Sequence, residues 1–124
     1  MEEVFSRVPF IVEGTVLEMT DVAAPTQALY LHNQQRALQV RLHVVRAWKG
    51  EARQEIVVHT WPLGAAPCSG VTMDQGAGYI LWGQWDPTQT IRLFDWCGAF
   101  QPAMGPTADS TRALLDRLYP APAE

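Results

Sequence analysis

The chain has no stretch of about 18 consecutive apolar residues, so nothing in it reads as a membrane-spanning helix. It has no clustered Lys or Arg: nine basic residues are scattered through a chain of formal net charge −4, without the basic stripe that tracks a phosphate backbone. That balance disfavours nucleic acid as a partner. Cysteine is scarce, and its two copies lack the CxxC spacing of a zinc knuckle or a thioredoxin-like centre. Internal repeats and low-complexity segments are missing too. No basic-then-apolar leader opens the chain, because Met1-Glu2-Glu3 is acidic. Alone, that start reads as cytoplasmic; a mature exported domain given an initiator Met1 reads the same, and the cysteine contexts favour the second reading.

What is present is ample apolar material for one core: 48% of 124 residues. Its pattern has period two. Phe10, Val12, Gly14 and Val16 share a face of a first strand over 10–19, and Gly14 marks a bulge or tight coiling. A long connection over 20–36 follows, in which Ala28–His32 extends a hairpin. In the second strand, 37–48, Leu38, Val40, Leu42 and Val44 point inward, and Gln39, Arg41 and His43 outward. Parity slips at Val44-Val45, which predicts a β-bulge there. After a Lys49-Gly50 turn, 54–61 forms a third strand antiparallel to the second. A Pro/Gly/Ser-rich loop over 62–76 leads to a fourth strand, 79–85. A turn at Asp86-Pro87-Thr88 leads to a fifth, 90–97. A C-terminal helix starts near Thr107–Ser110, capped by Asp109 or Ser110, and runs to Leu118; Glu2–Arg7 makes one helical turn. Five strands in about 90 residues predict an all-β, five-stranded Greek-key barrel, with a β-sandwich as the rival. The domain spans 1–106, and 107–124 is a helix and tail packed on it.

Cys68 in Pro-Cys-Ser-Gly and Cys97 in Trp-Cys-Gly both sit at punctuated strand ends, which reads as a structural disulfide and hence an oxidising compartment; two buried free thiols are the alternative. Of three histidines, none lies in a nucleophile or metal motif. If Trp48 pairs with Gln54, His43 faces His59 on the outer side and makes half a zinc site, the weak candidate for a metal-dependent enzyme. Five tryptophans are many for this length. Strand four carries Tyr79, Leu81 and Trp85 on one parity and Ile80 and Trp82 on the other, so at least one ring lies outside the barrel interior. Those rings either pack under the C-terminal helix or fill the barrel ends, or they form an exposed aromatic platform for a protein or glycan partner. The candidate binding residues are Trp61, Trp82, Trp85 and Trp96, with Tyr30 and His32 of the long connection.

The order of landmarks resembles a family of exported bacterial proteins related to tissue inhibitors of metalloproteinases and to the netrin module. The residues carrying the resemblance are Ile11-Val12-Glu13-Gly14-Thr15-Val16, Val45-Arg46-Ala47-Trp48-Lys49-Gly50, Pro67-Cys68, Gly76-Ala77-Gly78-Tyr79-Ile80-Leu81 and Trp96-Cys97-Gly98. The resemblance implies an oligonucleotide/oligosaccharide-binding (OB) barrel, a Cys68–Cys97 disulfide and a secreted or periplasmic location. It does not imply inhibition: the family's inhibitors chelate the protease zinc with an N-terminal cysteine, and no cysteine precedes Cys68 here. The expected function is non-catalytic binding of a protein partner in the cell envelope, without cofactor. Binding of single-stranded nucleic acid or glycan by the OB face is the alternative.

Overall fold

The computed structural model describes residues 2–25, 36–50, 53–60, 73–88, 91–94 and 99–120. Its framework is one long antiparallel pair, β1 (Phe10–Ala23) with β2 (Arg36–Lys49), running from Ile11↔Lys49 to Ala23↔Arg36. The register skips Trp48, then Val45, then Leu17. Each skip is an unpaired extra residue, and such bulges bend the strand and increase its twist. The slip expected at Val44-Val45 is therefore present, and β1 runs four residues further than its alternation suggested. At Gly14, beside the second bulge, a Cβ would lie 2.9 Å from the His43 carbonyl oxygen, so the strands can approach only because none is there.

The sheet then closes on itself. β3 (Glu55–Thr60) pairs antiparallel with β2, from Leu38↔Thr60 to His43↔Glu55. β4 (Gly78–Trp85) pairs antiparallel with the other edge of β1, from Phe10↔Gly83 to Thr15↔Gly78. β5 (Arg92–Leu93) joins them, parallel to β3 and antiparallel to β4, completing a five-strand ring in the order β1-β2-β3-β5-β4. Among the described residues the strands form one sheet, not the two separate stacked sheets of a sandwich. Inside the ring, Val12, Val16, Val40, Leu42, Ile56, Val58 and Leu81 are all buried.

Of the expected fifth strand, 90–97, residues 91–94 are described, and there the chain makes β5 opposite Trp85 and Gln84; the rest lies outside the described residues. A further short strand, β6 (Phe100–Pro102), pairs with Leu81, Ile80 and Tyr79. At Gly83 a Cβ would fall 2.0 Å from the Leu93 carbonyl oxygen.

β1 and β4 are buried on their outer faces as well. α1 (Glu2–Arg7) sets Phe5 edge-on against Trp82, ring centroids 5.1 Å apart, over Ile11 and Ile80, which are fully buried. α2 (Pro106–Leu118) buries Ala108, Thr111 and Leu115. It starts earlier than expected, after Gly105 with Pro106 in its first turn; no side chain caps it, and Asp109 instead pairs with Arg112. Arg112 grips Glu13 of β1 with both ends of its fork, at 2.7 and 3.1 Å, and donates to the Ala103 carbonyl.

Two consecutive β2 residues fasten both helices. Trp48 Nε1–H donates to Asp116 of α2 at 2.9 Å, and Arg46 stacks on the Trp48 ring while pairing with the same carboxylate. Lys49 Nζ donates to the carbonyls of Phe5, Ser6 and Val8 at 2.8, 3.3 and 3.1 Å, satisfying the C-terminal end of a helix too short to hold itself. Its ammonium also lies 4.8 Å from the Tyr119 ring centroid.

Gly83→Ala should force β4 and β5 apart and cost roughly 1–3 kcal/mol, in the range of overpacked cores, seen as a lower urea midpoint at unchanged slope. Gly78→Ala, whose new methyl would meet Ala103 Cβ at an ordinary 3.4 Å, is the control and should cost far less.

Candidate binding face

Both helices sit over β1 and β4, and among the described residues no helix covers the outer side of β2 and β3. Register places its side chains in rows across three strands: Thr15, His43 and Glu55; Glu18, Arg41 and Val57; Thr20, Gln39 and His59. Arg41 lies centrally, 3.4 Å from Glu18 and 3.7 Å from Glu55. These are long, solvent-exposed pairs that contribute little to stability, but they set the charge of the face: a cation held between two carboxylates. Two aliphatic side chains stand out of it, Val57 at 37% exposure and the bulged Val45 at 62%. The outward parity of Gln39, Arg41 and His43 was readable from the alternation of β2. The exposure of Val45 follows from its bulge, and the roles of Glu18 and Glu55 needed the register.

The two histidines do not meet. His43 stands opposite Glu55, and His59 opposite Gln39. Val44 N–H bonds to the Gln54 carbonyl, so the β2–β3 turn closes four positions earlier on β2 than a Trp48–Gln54 pairing requires. That separates the imidazoles by roughly 13 Å of strand. His43 is exposed and His59 is buried. The paired-histidine metal site is thus overturned, and no group of three His, Cys, Asp or Glu suited to a metal occurs among the described residues.

His59 Nε2 lies 3.3 Å from Gln39 Oε1, and Nδ1 has no hydrogen-bond partner. Burial holds its pKa below the ordinary imidazole value.

Of the rings proposed for an aromatic platform, Trp82 and Trp85 are described. Trp82 is buried under α1 and belongs to the core, correcting its placement among the binding residues. Trp85 is half-buried at the β4–β5 turn with the Arg92 guanidinium 4.8 Å from its ring centroid. Trp61, Trp96, Tyr30, His32, Cys68 and Cys97 lie outside the described residues. The turn after β4 is held by Asp86, as its position in Asp-Pro-Thr suggested. Its Oδ1 accepts from Ile91 N–H at 2.9 Å and its Oδ2 from Thr88 Oγ1–H at 2.6 Å, while its own N–H donates to the Ile91 carbonyl at 2.9 Å.

No family model matches the chain, and no curated protein matches it.

Asp86→Ala removes a buried acceptor from two donors and should destabilise by about 1–3 kcal/mol in a chemical-denaturation curve. Asp86→Asn keeps an acceptor for Ile91 N–H and should recover part of that loss.

Proposed function

We propose that this chain is a non-catalytic OB-type binding module of an exported protein, and that the open side of β2 and β3 takes a protein partner in the cell envelope. The observation that carries the reading is the ring itself. Five strands close in the order β1-β2-β3-β5-β4 with β3 and β5 parallel, and the helices are stacked over β1 and β4. OB barrels take their ligands on the face of strands two and three and on the adjoining loops. That is the side left open here.

The chemistry of the face favours protein over nucleic acid. A single-stranded nucleic acid needs a cationic groove and unobstructed rings for stacking. Arg41 is engaged by Glu18 and Glu55, and Trp82 and Trp48 are committed to holding helices. A face of mixed charge with Val45 and Val57 exposed suits a protein surface that supplies complementary charges around an apolar centre.

A photo-crosslinking residue at His43 should trap a protein from envelope extract, and the same residue at the exposed Ser110 of α2 should not. Arg41→Glu combined with Val57→Asp should abolish the His43 adduct while leaving the melting temperature within a few degrees. Equal trapping at both sites would contradict the assignment, as would salt-sensitive capture of an oligonucleotide at His43.

The export reading carries its own test at Cys68 and Cys97. Denatured, non-reduced protein from an oxidising compartment should show no titratable thiol, and Cys97→Ser should cost roughly 3–4 kcal/mol on the chain-entropy estimate. Two reactive thiols would remove the disulfide and the compartment together.

A further inference from the structure

The ring is joined most briefly at β5. β1 pairs with β2 from Ile11 to Ala23 and with β4 from Phe10 to Thr15, but among the described residues β5 meets β4 at Gln84↔Leu93 and Trp85↔Arg92, and β3 at Val58↔Arg92 and His59↔Leu93. One further bond, from Phe94 N–H to the His59 carbonyl at 3.1 Å, extends the join to β3. The residue at this join is an imidazole only 7% exposed. With Gln39 Oε1 accepting from Nε2–H, the unprotonated nitrogen is Nδ1, which is buried and unpartnered; so is the neighbouring Thr60 Oγ1.

The surroundings offer little to an imidazolium. On β2, Gln39 is neutral and Arg41, two positions along on the same face, is a cation whose charge is met by Glu18 and Glu55. On β5 the charged residue is Arg92, at the position adjacent to Leu93 and stacked on Trp85. Among the described residues no carboxylate lies within ion-pair distance of His59.

We propose that His59 is an acid-operated latch: protonation at Nδ1 opens the join between β3 and β5 ahead of the rest of the ring. In the closed ring, burial depresses the imidazole pKa; in the opened one it returns toward about 6.5. The closed form is therefore fully favoured above that value. It loses stability as pH falls below it, and the loss ceases once pH drops below the closed-state pKa. Opening exposes Val58 and Phe94, both buried in the closed ring.

Amide hydrogen exchange, corrected for intrinsic rates, reads this directly at Phe94, whose N–H crosses to the His59 carbonyl. Between pH 7.5 and 5.5 its opening equilibrium should rise severalfold, up to about tenfold, the ceiling for one linked proton whose open-state pKa is near 6.5. The amides of Val12 and Leu81 should not follow. His59→Gln should make the Phe94 opening independent of pH, and His43→Gln, at the exposed histidine, should leave the wild-type response. A pH-independent Phe94 in the wild type, or a response that survives His59→Gln, overturns the latch; so does equal loss at Val12 and Leu81. Should His59→Gln not fold, titration of the wild-type His59 ring by NMR decides: a midpoint below 6.5 together with Phe94 opening supports it, and a midpoint at or above 6.5 refutes it.

Discussion

Residues 11–14 of β1 are paired along both edges and largely enclosed on both faces, and the rest of the molecule is arranged around that fact. One edge is given to β2 and the other to β4, so the sheet must curl until its ends meet. One face fills the ring and the other lies under α1 and α2. A segment enclosed on four sides needs apolar residues at consecutive positions, and Ile11-Val12 supplies them. It tolerates a charge only where one is met, and Glu13 is met by the Arg112 fork. Breaking that pair from one side would leave a mostly enclosed charge, so the ion pair acts more as a fixed point for α2 than as a surplus of stability.

The helices contribute little on their own. α1 has six residues, below what an isolated helix needs to persist in water, and α2 begins without a side-chain cap. Both are stable because β2 reaches out to them at its last residues. The bulge that leaves Trp48 unpaired against β1 turns its indole toward Asp116, and Lys49 fills the carbonyl end of α1. A register irregularity in the sheet is thus what attaches the second layer. The same asymmetry, both helices on one side, leaves β2 and β3 without a covering helix among the described residues.

Much of this was legible in the residue pattern, and what was not has a definite reason. Period-two alternation placed β2, β3 and β4 within a residue or two, and the parity slip at Val44-Val45 located a bulge. Alternation fixes which face a side chain occupies, but an even-numbered slip of register leaves every face unchanged. The β2–β3 pairing differs from the expected one by four positions, so His43 and His59 kept their predicted side and lost their predicted meeting. β5 falls inside the fifth strand expected over 90–97, whereas β6 was not expected, because a strand of three residues carries no period. Trp82 looked available because parity alone cannot tell an outer face exposed to water from one roofed by a six-residue helix.

The functional reading stands on ring closure, since an open or sandwiched sheet would not isolate β2 and β3 as a separate face. Closure requires β1 to touch β4 and β3 to touch β5 in the same molecule. Backbone nuclear Overhauser contacts in solution measure both at once. The account predicts cross-strand contacts pairing Val12 with Leu81 and Gly14 with Tyr79, together with the parallel pattern of Val58 beside Arg92 and His59 beside Leu93. Finding the first set without the second under neutral conditions, or Val58 and His59 paired with any strand other than β2 and β5, would contradict it.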